Sequence, residues 1–160
     1  MAFDGKIVAN CLTRVRFLFF SFLLHHCSSG KTAAFLFPLI AHLLNNGIGL
    51  GNPHRPIGYG RFKKYAPYGL ILAPTRELAL QIHMEAVKFS YQTSLHPCAV
   101  YGGADARSQL RELDLGVEVL IATPGRLNDM LGRGRITLQC INYFVMDEVR
   151  FFWLTRFHTL

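Results

Sequence analysis

Four short apolar runs, each closed by residues that do not continue a strand, limit what this chain can fold into. They are GLILA at 69–73, stopped by Pro74; PCAVY at 97–101, stopped by Gly102-Gly103; VEVLIA at 117–122, followed by Thr123-Pro124; and INYFVM at 141–146, followed by Asp147-Glu148. Apolar runs of this length suit strands buried on both faces, as in a parallel sheet. Helical patterning separates them. Thr75 can cap a helix to about Tyr91, with Leu78, Ile82, Ala86 and Phe89 on one side. Residues 105–113 read as an amphipathic helix. Thr123 can cap another that opens on Pro124 and ends near Gly132. A further helical run over 32–44 precedes them all, with Ala33, Leu36, Phe37, Ile40, Leu43 and Leu44 as its apolar side. Pro38 lies inside it, removes one hydrogen bond and is expected to kink it. The alternation predicts an α/β domain built on a mostly parallel β-sheet with helices on both faces.

In such a domain ligands sit beyond the carboxyl ends of the strands. The residues with chemistry to offer fall there: Thr75-Arg76-Glu77, Gly102-Gly103, Thr123-Pro124-Gly125-Arg126 and Asp147-Glu148. Singly, each has a plain structural reading. Thr and Pro start helices, Arg76 and Arg126 can pair with Glu77 and Asp129, and Asp147-Glu148 can be an acidic turn. As an ordered set they point to one functional face.

Upstream, Ser29-Gly30-Lys31-Thr32 reads as the tail of a phosphate-binding loop, whose full pattern is Gly, four residues, then Gly-Lys-Ser/Thr. Gly30 would let the backbone close over a phosphate. Lys31 would reach the outer phosphates, and the Thr32 hydroxyl would meet Mg²⁺. The following helix would aim its positive end at the anion. Asp147, at a strand end, would hold the same Mg²⁺ through water, and Glu148 would orient the attacking water. The first glycine of the full pattern is replaced by His25.

Composition narrows the class. With 160 residues, half of them hydrophobic, the chain has material for one core. Its formal net charge of +7 suits a polyanionic partner such as nucleic acid, or simple solubility. The four cysteines have no Cys-x-x-Cys spacing, so neither a zinc site nor a redox motif is indicated. The loop expected over 45–68 mixes Arg61, Lys63 and Lys64 with Tyr59, Phe62 and Tyr65, a mixture seen in nucleic-acid contacts and also in ordinary solvated loops.

The motifs PTRELA at 74–79, Gly102-Gly103, ATPGR at 122–126 and Asp147-Glu148 resemble, in order and spacing, those of the DEAD-box ATP-dependent RNA helicases. The resemblance covers about residues 28–148, the first RecA-like domain of that family. The run KFSYQTSLHPCAVYGGAD and the Tyr-Gly-Arg-rich loop look like the Vasa/Belle subgroup. The resemblance implies ATP and Mg²⁺ at Ser29, Gly30, Lys31, Thr32 and Asp147, with Lys31 and Glu148 as the catalytic residues. It implies one RNA strand lying along Thr75, Arg76, Glu77, Gly102, Gly103, Thr123, Pro124, Gly125 and Arg126. Helix starts there would meet phosphates, so binding without base preference is expected. A monomer without membrane attachment, in a cytoplasmic or nuclear setting, follows from the same resemblance. The alternative function is a non-catalytic RNA-binding module that competes with an intact helicase.

Both ends depart from the family. His25-His26-Cys27-Ser28 stands where the family has Ala-Gln-Thr-Gly, and Asp147-Glu148-Val149-Arg150 where it has Asp-Glu-Ala-Asp. Residues 1–27 and 149–160 match nothing in it. Pyrimidine-rich codons for residues 17–24, a CAG acceptor across Cys27-Ser28 and the GTN codon of Val149 read as translated intron. The apolar run FLFFSFLL at 17–24, preceded by Arg14 and Arg16, can also be read as an export signal, or as the buried strand before the phosphate loop.

Overall fold

The strands form because β-favouring apolar runs can be buried on both faces only inside a covered parallel sheet. In the computed structural model, which describes residues 16–17, 30–48 and 64–146, five of them pair. In chain order the elements are β1 (Arg16–Phe17), α1 (Lys31–Asn45), β2 (Gly69–Leu72), α2 (Arg76–Phe89), β3 (Pro97–Val100), α3 (Ala106–Asp114), β4 (Val119–Ala122), α4 (Pro124–Gly132) and β5 (Tyr143–Met146). The sheet order is β1-β5-β2-β4-β3, and every pairing is parallel. Gly69 stands opposite both Val119 and Tyr143, so β2 and its two neighbours end level.

Alternation along the strands splits the core into two layers. Ile71, Val119, Ile121, Tyr143 and Val145 face α1 and α2, through Leu36, Leu39, Leu43, Ala79, Ile82 and Ala86. Leu70, Leu72, Val100, Leu120 and Phe144 face α3 and α4, through Leu113, Leu127 and Met130. Each fully buried Leu or Ile in these layers contributes about 1.5–3 kcal/mol of transfer free energy. The α/β architecture expected from the alternation is therefore present, with two helices on each face.

The differences are local. Phe37, placed on the apolar side of the first helix, is 57% exposed and packs instead on the Phe89 ring at 4.6 Å. α1 continues through Pro38 as one helix from Lys31 to Asn45. The loop expected on the surface over 45–68 turns inward at its end, because Tyr65 and Ala66 are buried. Tyr65 bridges to Ile136, and its hydroxyl donates to Asp114 Oδ1 at 2.8 Å. Thr123 occupies the N-cap position of α4 and its carbonyl accepts from Leu127 N–H at 3.0 Å, but its hydroxyl accepts no capping hydrogen bond, so Pro124 is the side chain that marks that start. Of the run at 17–24 only Phe17 lies in a described strand, and the rest falls outside the described residues.

Candidate nucleic-acid interface

Because β2, β4 and β3 are neighbours and parallel, their carboxyl ends bring three motif segments together. Pro74 to Glu77 follows β2, Thr123 to Arg126 follows β4, and Tyr101 to Gly103 follows β3. The backbone ties them: Ala73 N–H donates to Ala122 O at 3.0 Å, and Thr123 N–H donates to Val100 O at 2.9 Å. At the start of α2 the Thr75 hydroxyl accepts from Leu78 N–H at 3.3 Å. The amides of Arg76 and Glu77 lie in the first turn, where no helical carbonyl can accept from them. Gly125 and Arg126 hold the same position in α4, and Pro124 has no amide to leave unpaired.

The two arginines are used differently. Arg76 is exposed, and its guanidinium carbon lies 5.1 Å from the Tyr101 ring centroid, a cation–π contact. Among the described residues it pairs with no carboxylate, so the plain alternative, a surface pair with Glu77, does not form. Arg126 has a side chain only 14% exposed and reaches back across the face. Its Nε donates to Tyr101 O at 3.0 Å and its Nη2 to Ala104 O at 2.7 Å. A looser 3.8 Å contact joins it to Asp129, which is held more closely by Arg133 at 2.7 Å. Arg126 thus fastens the glycine loop to α4. Gly103 has a φ of +78°, a left-handed turn that favours glycine, and a β-carbon there would only touch Arg76 Nη1 at 3.4 Å.

Three residues near this loop were not anticipated. Tyr101 supplies the ring under Arg76 and a carbonyl shared by two donors. Asp105 caps α3, accepting from Arg107 N–H and Ser108 N–H. Gln109 is buried and donates through Nε2 to Tyr101 O at 3.0 Å. One signal for Gln109 was available: it lies four residues before Leu113, a polar residue on the apolar side of an amphipathic helix.

Gly30 precedes α1 with φ +96° and ψ −8°, a left-handed conformation, and among the described residues nothing lies within 4 Å of where its β-carbon would be. Its carbonyl accepts the first helical bond, from Ala34 N–H at 3.0 Å. Thr32 is half-buried in the first turn, and Lys31 is the first helical residue. Asp147 and Glu148 follow β5 directly and, like Ser29, lie outside the described residues.

A family model described as DEAD/DEAH box helicase matches residues 16–153. Among solved structures, the yeast DEAD-box splicing factor Prp28 is similar at 30% identity and a TM-score of 0.65, over 82% of this chain and 29% of that one. The RNA helicase Prp28 from Chaetomium thermophilum, bound to ADP, is 35% identical with a TM-score of 0.65, over 84% and 30%. A hypothetical ATP-dependent RNA helicase from Sulfolobus tokodaii is 26% identical with a TM-score of 0.61, over 83% and 33%. The chain therefore spans no more than about a third of the length of these helicases and shares their RecA-like fold. With its motifs in family order along the sequence, three of them at the carboxyl ends of neighbouring strands, and the family model matching most of its length, the chain belongs to the DEAD/DEAH box helicase family.

Proposed function

We propose that this chain is the first RecA-like domain of an ATP-dependent RNA helicase, binding one RNA strand through its backbone at the carboxyl ends of β2, β4 and β3. The observation that carries the reading is the convergence there of Arg76, the glycine pair and the α4 start, tied by Tyr101 and Arg126. First-turn amides and an exposed guanidinium are donors suited to phosphate, and they ignore base identity. The run at 88–105 and the Tyr-Gly-Arg-rich loop, by their likeness to the Vasa/Belle subgroup, support a placement there within the family.

Nucleotide binding is part of the same reading. The left-handed Gly30, with open space beside it at the head of α1, fits a phosphate group, and the Thr32 hydroxyl is a hard oxygen donor of the kind Mg²⁺ takes. Ser29, Gly30 and Lys31 would hold the phosphates, Thr32 and Asp147 the Mg²⁺, and Glu148 the attacking water. Bound ATP would supply the phosphoryl transfer that, in the parent enzyme, is coupled to local duplex opening. Val149-Arg150, in place of the family's Ala-Asp, favours a second reading in which these 160 residues bind RNA without turnover.

Binding of a labelled single-stranded RNA to the chain, measured against salt, tests the proposal. RNA should bind at low salt, and Arg76→Gln should lower the slope of log K against log salt by about 0.7, one phosphate contact on a single strand. No binding at low salt would sink it. ATP hydrolysis rising with RNA would favour the enzymatic reading over the binding module.

A further inference from the structure

The loop from Tyr101 to Ala104 is held from beneath by its carbonyls. Tyr101 O accepts from both Gln109 Nε2 and Arg126 Nε, each at 3.0 Å. Ala104 O accepts from Arg126 Nη2 at 2.7 Å. All peptide bonds among the described residues are trans, and in a trans peptide the C=O and the N–H of the next residue point in opposite directions. A Tyr101 carbonyl turned down onto Gln109 therefore turns the Gly102 N–H up, to the solvent side. Gly102 is exposed, and among the described residues nothing lies within 4 Å of the place its β-carbon would take. The Arg76 guanidinium is adjacent, over the Tyr101 ring and near Gly103.

Gln109 itself is only half satisfied. It is 4% exposed, and its Oε1 meets no hydrogen-bond donor among the described residues. The amide cannot be reversed to relieve this, because Oε1 would then face the Tyr101 oxygen, acceptor against acceptor. An apolar side chain of similar length would remove the orphaned acceptor and leave Arg126 on Tyr101 O. Packing alone does not call for glutamine here.

We infer that Gln109 is a positioning residue for RNA binding: by holding the Tyr101 carbonyl inward it aims the Gly102 N–H outward, beside Arg76, at a phosphate of the bound strand. The inference rests on the RNA-binding reading above and adds to it a residue that does not touch the RNA.

The test compares wild type with Gln109→Leu in the full chain, using a single-stranded RNA oligonucleotide, thermal unfolding and ¹⁵N-resolved glycine amides. RNA should shift the Gly102 amide resonance in the wild type. Gln109→Leu should move that resonance in the free protein and weaken RNA binding measurably, by at most about tenfold, the full loss of one hydrogen bond to a charged group, because Arg126 still holds Tyr101 O. The salt slope should not change, because no cation is removed. The unfolding midpoint should stay level or rise, because an unsatisfied buried acceptor is removed. Equal binding by the two proteins would overturn the inference and leave the RNA-binding reading standing. A loss of binding that merely tracks a lowered midpoint would overturn it as well, since Gln109 would then be structural. Absence of RNA binding by the wild type would remove both. Gln109→Met, also without a polar end, repeats the comparison if the leucine variant does not fold.

Discussion

Replacing Arg126 by methionine should destabilise the domain by about 2–3 kcal/mol, most of it through the glycine loop rather than through lost surface charge. Three interactions disappear, and they are not equal. The bond to Ala104 O at 2.7 Å has no understudy, so its loss leaves a half-buried carbonyl that only water can reach. The bond to Tyr101 O is shared, because Gln109 Nε2 stays on the same oxygen at 3.0 Å. Hydrogen bonds to a charged donor contribute about 1.5–3 kcal/mol each, so one full loss and a fraction of a second give the figure. The 3.8 Å contact with Asp129 adds little, since Asp129 keeps Arg133 and such partly exposed pairs contribute about 0–1 kcal/mol. Urea unfolding of the full chain measures the change, and Arg126→Lys supplies the control. A single ammonium cannot span both carbonyls as the planar fork does, so lysine should recover at most about half. If Arg126→Met left stability within about 0.5 kcal/mol of wild type while abolishing RNA binding, the guanidinium would be an RNA ligand and the clamp described above would be wrong.

Gly30→Ala should cost about 1–2 kcal/mol, because φ is +96° there and a β-carbon is strained in the left-handed region even with open space around it; unfolding measures the cost, and binding of a fluorescent ATP analogue should fall with it. Burial pushes the Cys98 thiol from 9.0 up to about 12, helped by the nearby Glu112 and Glu118 charges. The folded state then keeps its proton where the unfolded state loses it, so this contribution is intact below about pH 9 and is lost as pH rises toward about 12. The local slope is at most about 1.4 kcal/mol per pH unit. Cys98→Ala should flatten that alkaline decline in a pH series of urea unfolding curves, and an unchanged decline would show that Cys98 does not cause it.

The architecture was legible because the runs at 69–73, 97–101, 117–122 and 141–146 carry two independent signals, apolar content and a stop. A buried parallel strand needs the first and its loop needs the second. What the pattern misjudged were positions whose environment is set by distant residues. Phe37 keeps helical period with Leu36 and Ile40, yet period says nothing about where the covered layer ends, and at that rim it meets Phe89 and water. Tyr65 stands in a basic, glycine-rich stretch that reads as solvated. Its burial depends on Asp114 and Ile136, which lie some way along the chain and offer a hydroxyl acceptor and a bridge. No local composition could report those partners.

The candidate RNA face shows the same division at finer scale. Arg76 is the first residue of α2 and Arg126 the third of α4, each in the first turn of a helix that follows a strand of the same sheet, so their motifs suggest similar roles. Their places in the turn differ, and so do their neighbours. Beside β4 runs β3, whose outgoing loop presents two carbonyls within reach of Arg126, and a guanidinium satisfied there turns inward. Arg76 meets the face of Tyr101 instead, which holds the cation by its π electrons without consuming its N–H donors. Arg126 fixes the loop, and Arg76 keeps its N–H donors toward solvent. Strand order, together with place in the turn, therefore divides the labour, and strand order is a property of pairings far apart in the chain. Gln109 follows from that order too: only because β3 lies at the edge, with α3 packed beneath its exit, can a glutamine from that helix reach the Tyr101 carbonyl.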